Sequence, residues 1–281
     1  MTATGVKHEM PPPAVTARRG AADVAALLAL PARRPRRPAG SAPMLPARLL
    51  VTAVLAAALA IGGAMVFLDA WAFAQVKHLP LWLIDLFNEI TDYGRSGWFL
   101  WPIGFLIVAL AAAAAAAPGR FVRLTVISLV VRLEFIFAAI AVPGLVVTFV
   151  KRLIGRVRPS ALGPFAYVPF SWRPDYASMP SGHATTAFAA AVALGAVWPR
   201  ARPLLWLYAV VIALSRVIIA AHYPSDVIAG ACVGAFAAII IRDYFAARRL
   251  GFAAERDGTV RALPGPSWRR LTSVAARLLP Y

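Results

Sequence analysis

Six predominantly apolar runs constrain this chain more than any other feature, because ~20 such residues is the length a helix needs to cross a bilayer. The first is Arg48 to Leu68 and the second Trp98 to Ala117. The third ends at Val150, the fourth is His183 to Trp198, the fifth Pro203 to Ala221, and the sixth Pro224 to about Tyr244. The fold class expected is all-α and integral to a membrane, with six transmembrane helices. Counting back ~20 residues from Val150 starts the third helix near Val131. Arg132 and Glu134 then sit at its cytoplasmic end, able to snorkel or pair, behind an interfacial lead-in at 119–130. The fourth run would be ~24 Å long at 1.5 Å per residue, so its start is expected to lie below the membrane surface.

Composition agrees. The chain is 60% hydrophobic and 15% charged, with a mean hydropathy of +0.71. That excludes a single soluble domain. The net charge of +17 does not point to nucleic acid, because the surplus lies outside the apolar runs, in the first 48 residues and after Ile241. Such flanks fit the positive-inside rule and anionic headgroups. The N-terminal arm, "PGRFVR", "PRAR" and the tail are basic and fall on one side of a six-helix path; the connection 69–97 is net acidic and falls on the other. Both termini are therefore expected in the cytoplasm. The Ala-, Arg- and Pro-rich composition suggests a bacterium, hence its cytoplasmic (inner) membrane.

Three regions are expected: a disordered basic arm at 1–47, a membrane domain at 48–245 and a basic tail at 246–281. The arm's "RRGAADVAALLAL" has too short an apolar core for an export signal and no cleavage site behind it. Met44, just before the first run, is a second candidate start. Within 69–97, "LPLWLIDLFNEITDYG" puts Leu83, Leu86, Phe87 and Ile90 on one helical face and Asp85, Glu89 and Asp92 on another. It reads as an interfacial helix between the first two spans. Cys232, inside the sixth run, reads as a small buried hydrophobe, and nothing in the runs specifies an oligomeric state.

The chemistry lies in three clusters that this topology gathers on the extracytoplasmic side. "KRLIGRVRP" brings Lys151 and Arg158, "PSGH" brings Ser181, Gly182 and His183, and "SRVIIAAHYPSD" brings Arg216, His222 and Asp226. Ionisable groups at membrane depth are costly and suggest function. Lys151, Arg158 and Arg216 would cradle a dianionic phosphoryl group. The backbone N–H groups at Ser181, Gly182 and His183, opening a helix, can point at the same anion, with the Ser181 hydroxyl as a further donor. His222, with Asp226 four positions on to orient it, is the candidate nucleophile, and His183 the candidate general acid.

The pattern K-x6-R-P, P-S-G-H and S-R-x5-H-x3-D, filled here by Lys151 to Pro159, Pro180 to His183 and Ser215 to Asp226, resembles the three signature motifs of the type-2 phosphatidic acid phosphatase superfamily of membrane lipid phosphatases. The resemblance implies that the histidine at 222 forms a phosphohistidine, aided by the aspartate at 226. It also implies that the histidine at 183 protonates the leaving alkoxide and that Lys151, Arg158, Ser181, Gly182 and Arg216 hold the phosphate. It implies no metal and no other cofactor. The expected partners are a lipid phosphate substrate and the membrane. A phosphotransferase with a lipid or sugar acceptor has the same motifs, and a non-catalytic anionic-lipid binder or transporter is the reading from another class.

Other charged and aromatic residues carry blander expectations. Arg152 and Arg156 read as interfacial anchors, Lys77 and Arg95 as charge balance for the acidic loop, and His8 and His78 as surface residues. The rings of Phe165, Tyr167, Phe170, Trp172 and Tyr176 suit a membrane–water interface. Phe165, Tyr167, Trp172 and Tyr176 are candidate substrate contacts, with Arg173 and Asp175 as candidate headgroup contacts. Phosphatidic acid, phosphatidylglycerol phosphate, undecaprenyl diphosphate or monophosphate and a lipid A phosphate all offer the same group, so selectivity is expected in the loops 69–97 and 159–179.

Overall fold

The computed structural model describes residues 13–33, 46–117, 119–160, 165–255 and 258–278. Residues 1–12 and 34–45 of the basic arm, including His8 and Met44, lie outside the described residues.

Helix α1 (Pro13–Leu28) precedes α2 (Ala47–Gly63), which runs through a π-helical stretch at Ala64–Leu68 into α3 (Asp69–Val76). The first apolar run therefore continues as helix past Leu68, and Asp69 stays inside the fold, fully buried. Then come α4 (Leu81–Asp92), α5 (Gly97–Ala115) and α6 (Arg120–Ile154). The last three long elements are α7 (Gly182–Val197), α8 (Arg202–Ile218) and α9 (Pro224–Ala247). A two-stranded antiparallel hairpin, β1 (Phe252–Ala254) with β2 (Val260–Ala262), leads to α10 (Trp268–Leu278).

Among the described residues, five helical stretches are long and apolar enough to cross a membrane: Arg48–Val76, Leu81–Ala115, Arg120–Ile154, Pro199–Ile218 and Pro224–Ala247. The second of these turns at Tyr93–Ser96, between α4 and α5. Gly182–Val197 is shorter and apolar. The protein is a mostly helical integral membrane protein.

Helix α6 is one uninterrupted helix of 35 residues, so 119–130 is its opening turns, not a separate lead-in. Val122, Val126 and Val130 recur at helical spacing and bury against Ile107 and Ala114 of α5. Packing, not hydropathy alone, extends the helix. Glu134 is buried, and its carboxylate has no hydrogen-bond partner among the described residues. Arg132 donates to the Ser128 carbonyl at 2.6 Å and to the Leu263 carbonyl at 2.8 Å.

Helix α7 is the centre of the bundle, packed by α6, α8 and α9. Ala184, Ala187, Ala189, Ala190 and Ala193 are fully buried. The fit depends on glycines in α9: a Cβ at Gly230 would lie 2.4 Å from the Ser181 carbonyl oxygen, and one at Gly234 2.2 Å from that of Thr185. Small residues let helix backbones approach in this way.

Helix α1, and the hairpin and α10 beyond α9, pack on the bundle. Leu27 of α1 and Val274 of α10 join the cluster of Ile107, Val122 and Val126. Phe252 of β1 stacks edge-on to Phe135 at 4.7 Å between ring centres. Average composition hid this, because the few apolar residues of each flank are spaced to share one face.

Candidate active site

The carboxyl end of α6 sets the site's floor. Gly155 ends that helix with φ of 66°, and a Cβ there would lie 1.9 Å from the Val168 carbonyl oxygen. Only glycine fits this left-handed turn. The turn leaves Lys151 in the last helical turn and sends Arg156 inward. The segment then binds the loop that follows: Val157 N–H donates to the Ala166 carbonyl, Arg158 N–H to that of Asp175, and Ser178 N–H to that of Arg156.

Arg156 contradicts the expectation of an interfacial anchor. It is 0% exposed, with Nη1 2.7 Å from Asp226 Oδ1 and Nη2 2.7 Å from Asp69 Oδ2. Burial works against its charge, yet Asp226 and Asp69 more than offset this and hold its pKa above the ordinary arginine value. Arg152 is also occupied: its Nη1 donates to the Trp172 carbonyl and its guanidinium lies over that ring.

His222 occupies the short link between α8 and α9, buried at 3% exposure. Its N–H and that of Ala221 both donate to the Arg216 carbonyl at 3.1 Å, so the link folds tightly onto the end of α8. Asp226 sits in the first turn of α9, its Oδ2 accepting the Tyr223 N–H at 2.9 Å. The imidazole Nδ1 is 3.7 Å from Asp226 Oδ2, beyond hydrogen-bond reach. Ser178 fills the gap, donating to Asp226 Oδ2 at 2.5 Å, with its oxygen 3.4 Å from His222 Nδ1. That chain suits the tautomer with the proton on Nδ1 and a free lone pair on Nε2.

Burial pushes the His222 imidazole down to about 4; Asp226 pulls it up, while Arg216 and Arg158 push it further down. The ring is thus neutral at pH 7. Desolvation outweighs the aspartate here.

The remaining predicted residues converge on the same end. Lys151 lies within electrostatic reach of Arg158, Arg152 and Arg216, and His183 within reach of Arg216, His222, Arg95 and Lys151. A Cβ at Gly182 would lie 3.5 Å from Lys151 Nζ. Arg158 Nε donates to the Pro174 carbonyl at 3.0 Å. Ser181 is fully buried, and its hydroxyl has no partner among the described residues, as is true of Arg216 Nε. One expected donor is already taken: the Ser181 N–H donates to the Asp226 carbonyl at 2.9 Å.

Sequence reasoning missed the wall formed by α4 and the turn after it. Thr91 accepts a hydrogen bond from Arg216 Nη1 at 2.7 Å and another from the Ser215 hydroxyl at 2.9 Å. A Cβ at Gly94 would lie 3.0 Å from His183 Cδ2. Arg95 pairs with Asp92 at 2.8 Å, in keeping with charge balance, while Lys77 lies over the Phe73 ring. Phe165, Phe170 and Trp172 project outward, at 66%, 77% and 71% exposure. Tyr167 is partly exposed and bridges the backbone of Arg156; Tyr176 is half-buried beside Arg173, which also pairs with Asp175.

The family model of the PAP2 superfamily matches residues 133–250. A decaprenylphosphoryl-5-phosphoribose phosphatase of Mycobacterium tuberculosis is 34% identical over 141 residues, which span 50% of this chain and 70% of that protein. The chain belongs to the PAP2 superfamily. A lipid A 1-phosphatase of Rhizobium johnstonii is 38% identical over 127 residues, 44% of this chain and 52% of the relative; a second, from Rhizobium etli, is 36% identical over the same length. The match thus spans about half the length of these two relatives. The crystal structure of a transmembrane PAP2 type phosphatidylglycerolphosphate phosphatase from Bacillus subtilis aligns with a TM-score of 0.49 and 22% identity, covering 70% of this chain and 94% of that one.

Proposed function

We propose that this PAP2 protein is a lipid phosphatase that hydrolyses a lipid phosphate monoester or diphosphate through a phosphohistidine at His222. The observation that carries the reading is a neutral, buried imidazole backed by Ser178 and Asp226, at the end of the bundle where Lys151, Arg158 and Arg216 gather. Three cations gathered at one end favour a dianionic ligand.

In this reading His222 Nε2 attacks phosphorus, the bond from phosphorus to the lipid oxygen breaks, and His183 gives its proton to the leaving oxygen. The ring becomes a phosphorylated imidazolium whose Nδ1 proton is held by Ser178, with the Asp226 charge behind it. Water then attacks the same phosphorus, His183 takes the water's proton, phosphate leaves, and His222 returns to its neutral form. Lys151, Arg158 and Arg216, with the Ser181 hydroxyl and the Gly182 and His183 N–H groups at the start of α7, hold the equatorial oxygens.

The α2–α3 helix, α5, α6, α7, α8 and α9 would be the six spans, with α4 interfacial. The basic flanks support a reading with both termini in the cytoplasm of a bacterium and the site on the outer face of its inner membrane. The outward rings of the 159–179 loop would sit among headgroups, Phe165, Tyr167, Trp172 and Tyr176 next to the bound lipid. The named activities of the relatives make phosphorylated glycolipids the first substrates to test, alongside phosphatidic acid, phosphatidylglycerol phosphate and undecaprenyl diphosphate.

The test is phosphate release by purified protein from each lipid, with EDTA present, beside His222→Ala. Release from one class that disappears in the variant is the expected result. A well-folded protein that releases phosphate from none of them contradicts the reading.

A further inference from the structure

Behind the His222–Ser178–Asp226 chain lies a second layer of charge, built by Arg156 and Asp69, neither of which fills a signature position of the three motifs. Arg156 Nη1 contacts Asp226 Oδ1 at 2.7 Å and Ser225 Oγ at 2.6 Å, and Nη2 contacts Asp69 Oδ2 at 2.7 Å. The Ser225 hydroxyl donates to Asp69 Oδ2 at 2.6 Å and its N–H to Asp69 Oδ1 at 3.0 Å. Asp69, Arg156, Ser225 and Asp226 are each 0% exposed. The Tyr223 ring packs on the Arg156 guanidinium at 4.5 Å. Asp69 comes from the first membrane helix, at the residue where a π-helical stretch ends. Such stretches are frequent at functional sites.

A role in stability alone explains this layer poorly. Buried ion pairs lose solvation that their attraction roughly repays, and apolar replacements are often as stable. The charge count is more telling: two carboxylates share one guanidinium, so the layer carries a net negative charge. Without Asp69, Arg156 would cancel Asp226. The groups facing His222 from its other sides, Arg216, Arg158 and His183, are cationic or neutral.

We propose that Asp69 and Arg156 are positioning residues for phosphoryl transfer, fixing Asp226 toward Ser178 and leaving it the negative charge that stabilises the phosphorylated imidazolium. This rests on the reading of His222 as the phosphoryl acceptor. Arg156, with its planar fork, holds both carboxylates at once, which a lysine cannot do. Ser225 closes the ring of hydrogen bonds.

The test compares wild type, Asp69→Asn, Asp69→Glu and Arg156→Lys in detergent. It reads kcat and KM for a lipid phosphate against pH, and the His222 imidazole titration by nitrogen-15 NMR, assigned with His222→Ala. Asp69→Asn is expected to lower kcat by roughly 10- to 100-fold with KM nearly unchanged. It is also expected to move the His222 titration to lower pH by about half a unit or more, because a compensating anion is lost. Asp69→Glu restores part of both. Arg156→Lys keeps the titration and loses kcat, because charge is retained and geometry is not. An Asp69→Asn protein with wild-type kcat and titration overturns the proposal. If that variant does not fold, Arg156→Lys decides: wild-type kcat overturns it, and a lower kcat at constant KM supports it. The imidazole titration needs no substrate. A shifted titration in a protein whose wild type turns over no lipid phosphate would therefore retain the charge relationship and sink the phosphatase reading instead.

Discussion

His222 and Asp226 stand 3.7 Å apart with the Ser178 hydroxyl between them, 2.5 Å from the carboxylate and 3.4 Å from the ring nitrogen. The carboxylate thus acts on the histidine through a third residue. Replacing Ser178 by alanine leaves the His222 Nδ1 proton without its partner. Ser178→Ala is expected to lower kcat roughly 10- to 100-fold, the worth of a hydrogen bond to a charged group, with KM little changed. Steady-state kinetics on the substrate identified by phosphate release would check this.

The pH dependence follows from burial. His222 is held at about 4, below its ordinary 6.5, chiefly by desolvation. The folded protein therefore resists a proton that the unfolded chain accepts. The stability contributed is fully present above pH 6.5 and is lost as pH falls from 6.5 towards 4. Because attack needs the neutral ring, the His222 contribution to kcat/KM is expected to be flat around neutrality and to fall as pH approaches about 4. An acid limb near 6.5 that His222 itself causes would contradict this.

Thr91 tests whether α4 is part of the working site or only a cover. Its hydroxyl accepts from Arg216 Nη1 at 2.7 Å. Thr91→Val keeps the shape and removes the acceptor, so Arg216 loses its orientation. The expected cost is roughly 3- to 10-fold in kcat/KM, about 1 kcal/mol for one hydrogen bond. Arg216→Ala, which removes the cation itself, should cost more.

The chain's legibility divides along physical lines. His183, His222, Asp226, Lys151, Arg158 and Arg216 were visible because an ionisable group at the end of an apolar run is expensive and invites a reason. Asp69 and Arg156 carried the same signal and were discounted, Asp69 as part of an acidic loop and Arg156 as one arginine among several. What separated them from their neighbours was a partner 87 residues away, which no local pattern encodes. Ser178 and Thr91 gave no signal at all, since a lone hydroxyl before a motif or on an amphipathic helix is ordinary. The helices were legible from hydropathy, but the opening turns of α6 and the fold of α1 depend on shared apolar faces with α5.

Close packing of α7 on α9 gives a stability prediction independent of chemistry. Gly234→Ala would place a methyl 2.2 Å from the Thr185 carbonyl oxygen, and neither helix can move without disturbing Ser181 or Asp226. A loss of about 1–3 kcal/mol is expected from the overpacking, measured as a lower Tm in detergent. Gly144→Ala, inside α6 where a Cβ would meet nothing within 4 Å, is the control and should not lower Tm, since alanine is the better helix former.

The central claim is that His222 carries the phosphoryl group during turnover, and trapping that intermediate tests it most directly. Wild-type protein mixed with its lipid substrate, quenched within one turnover and digested under alkaline conditions, should yield a phosphorylated peptide containing His222. The label should be lost in acid and absent from His222→Ala. Label on His183 or another residue, or full turnover by His222→Ala, would contradict the account.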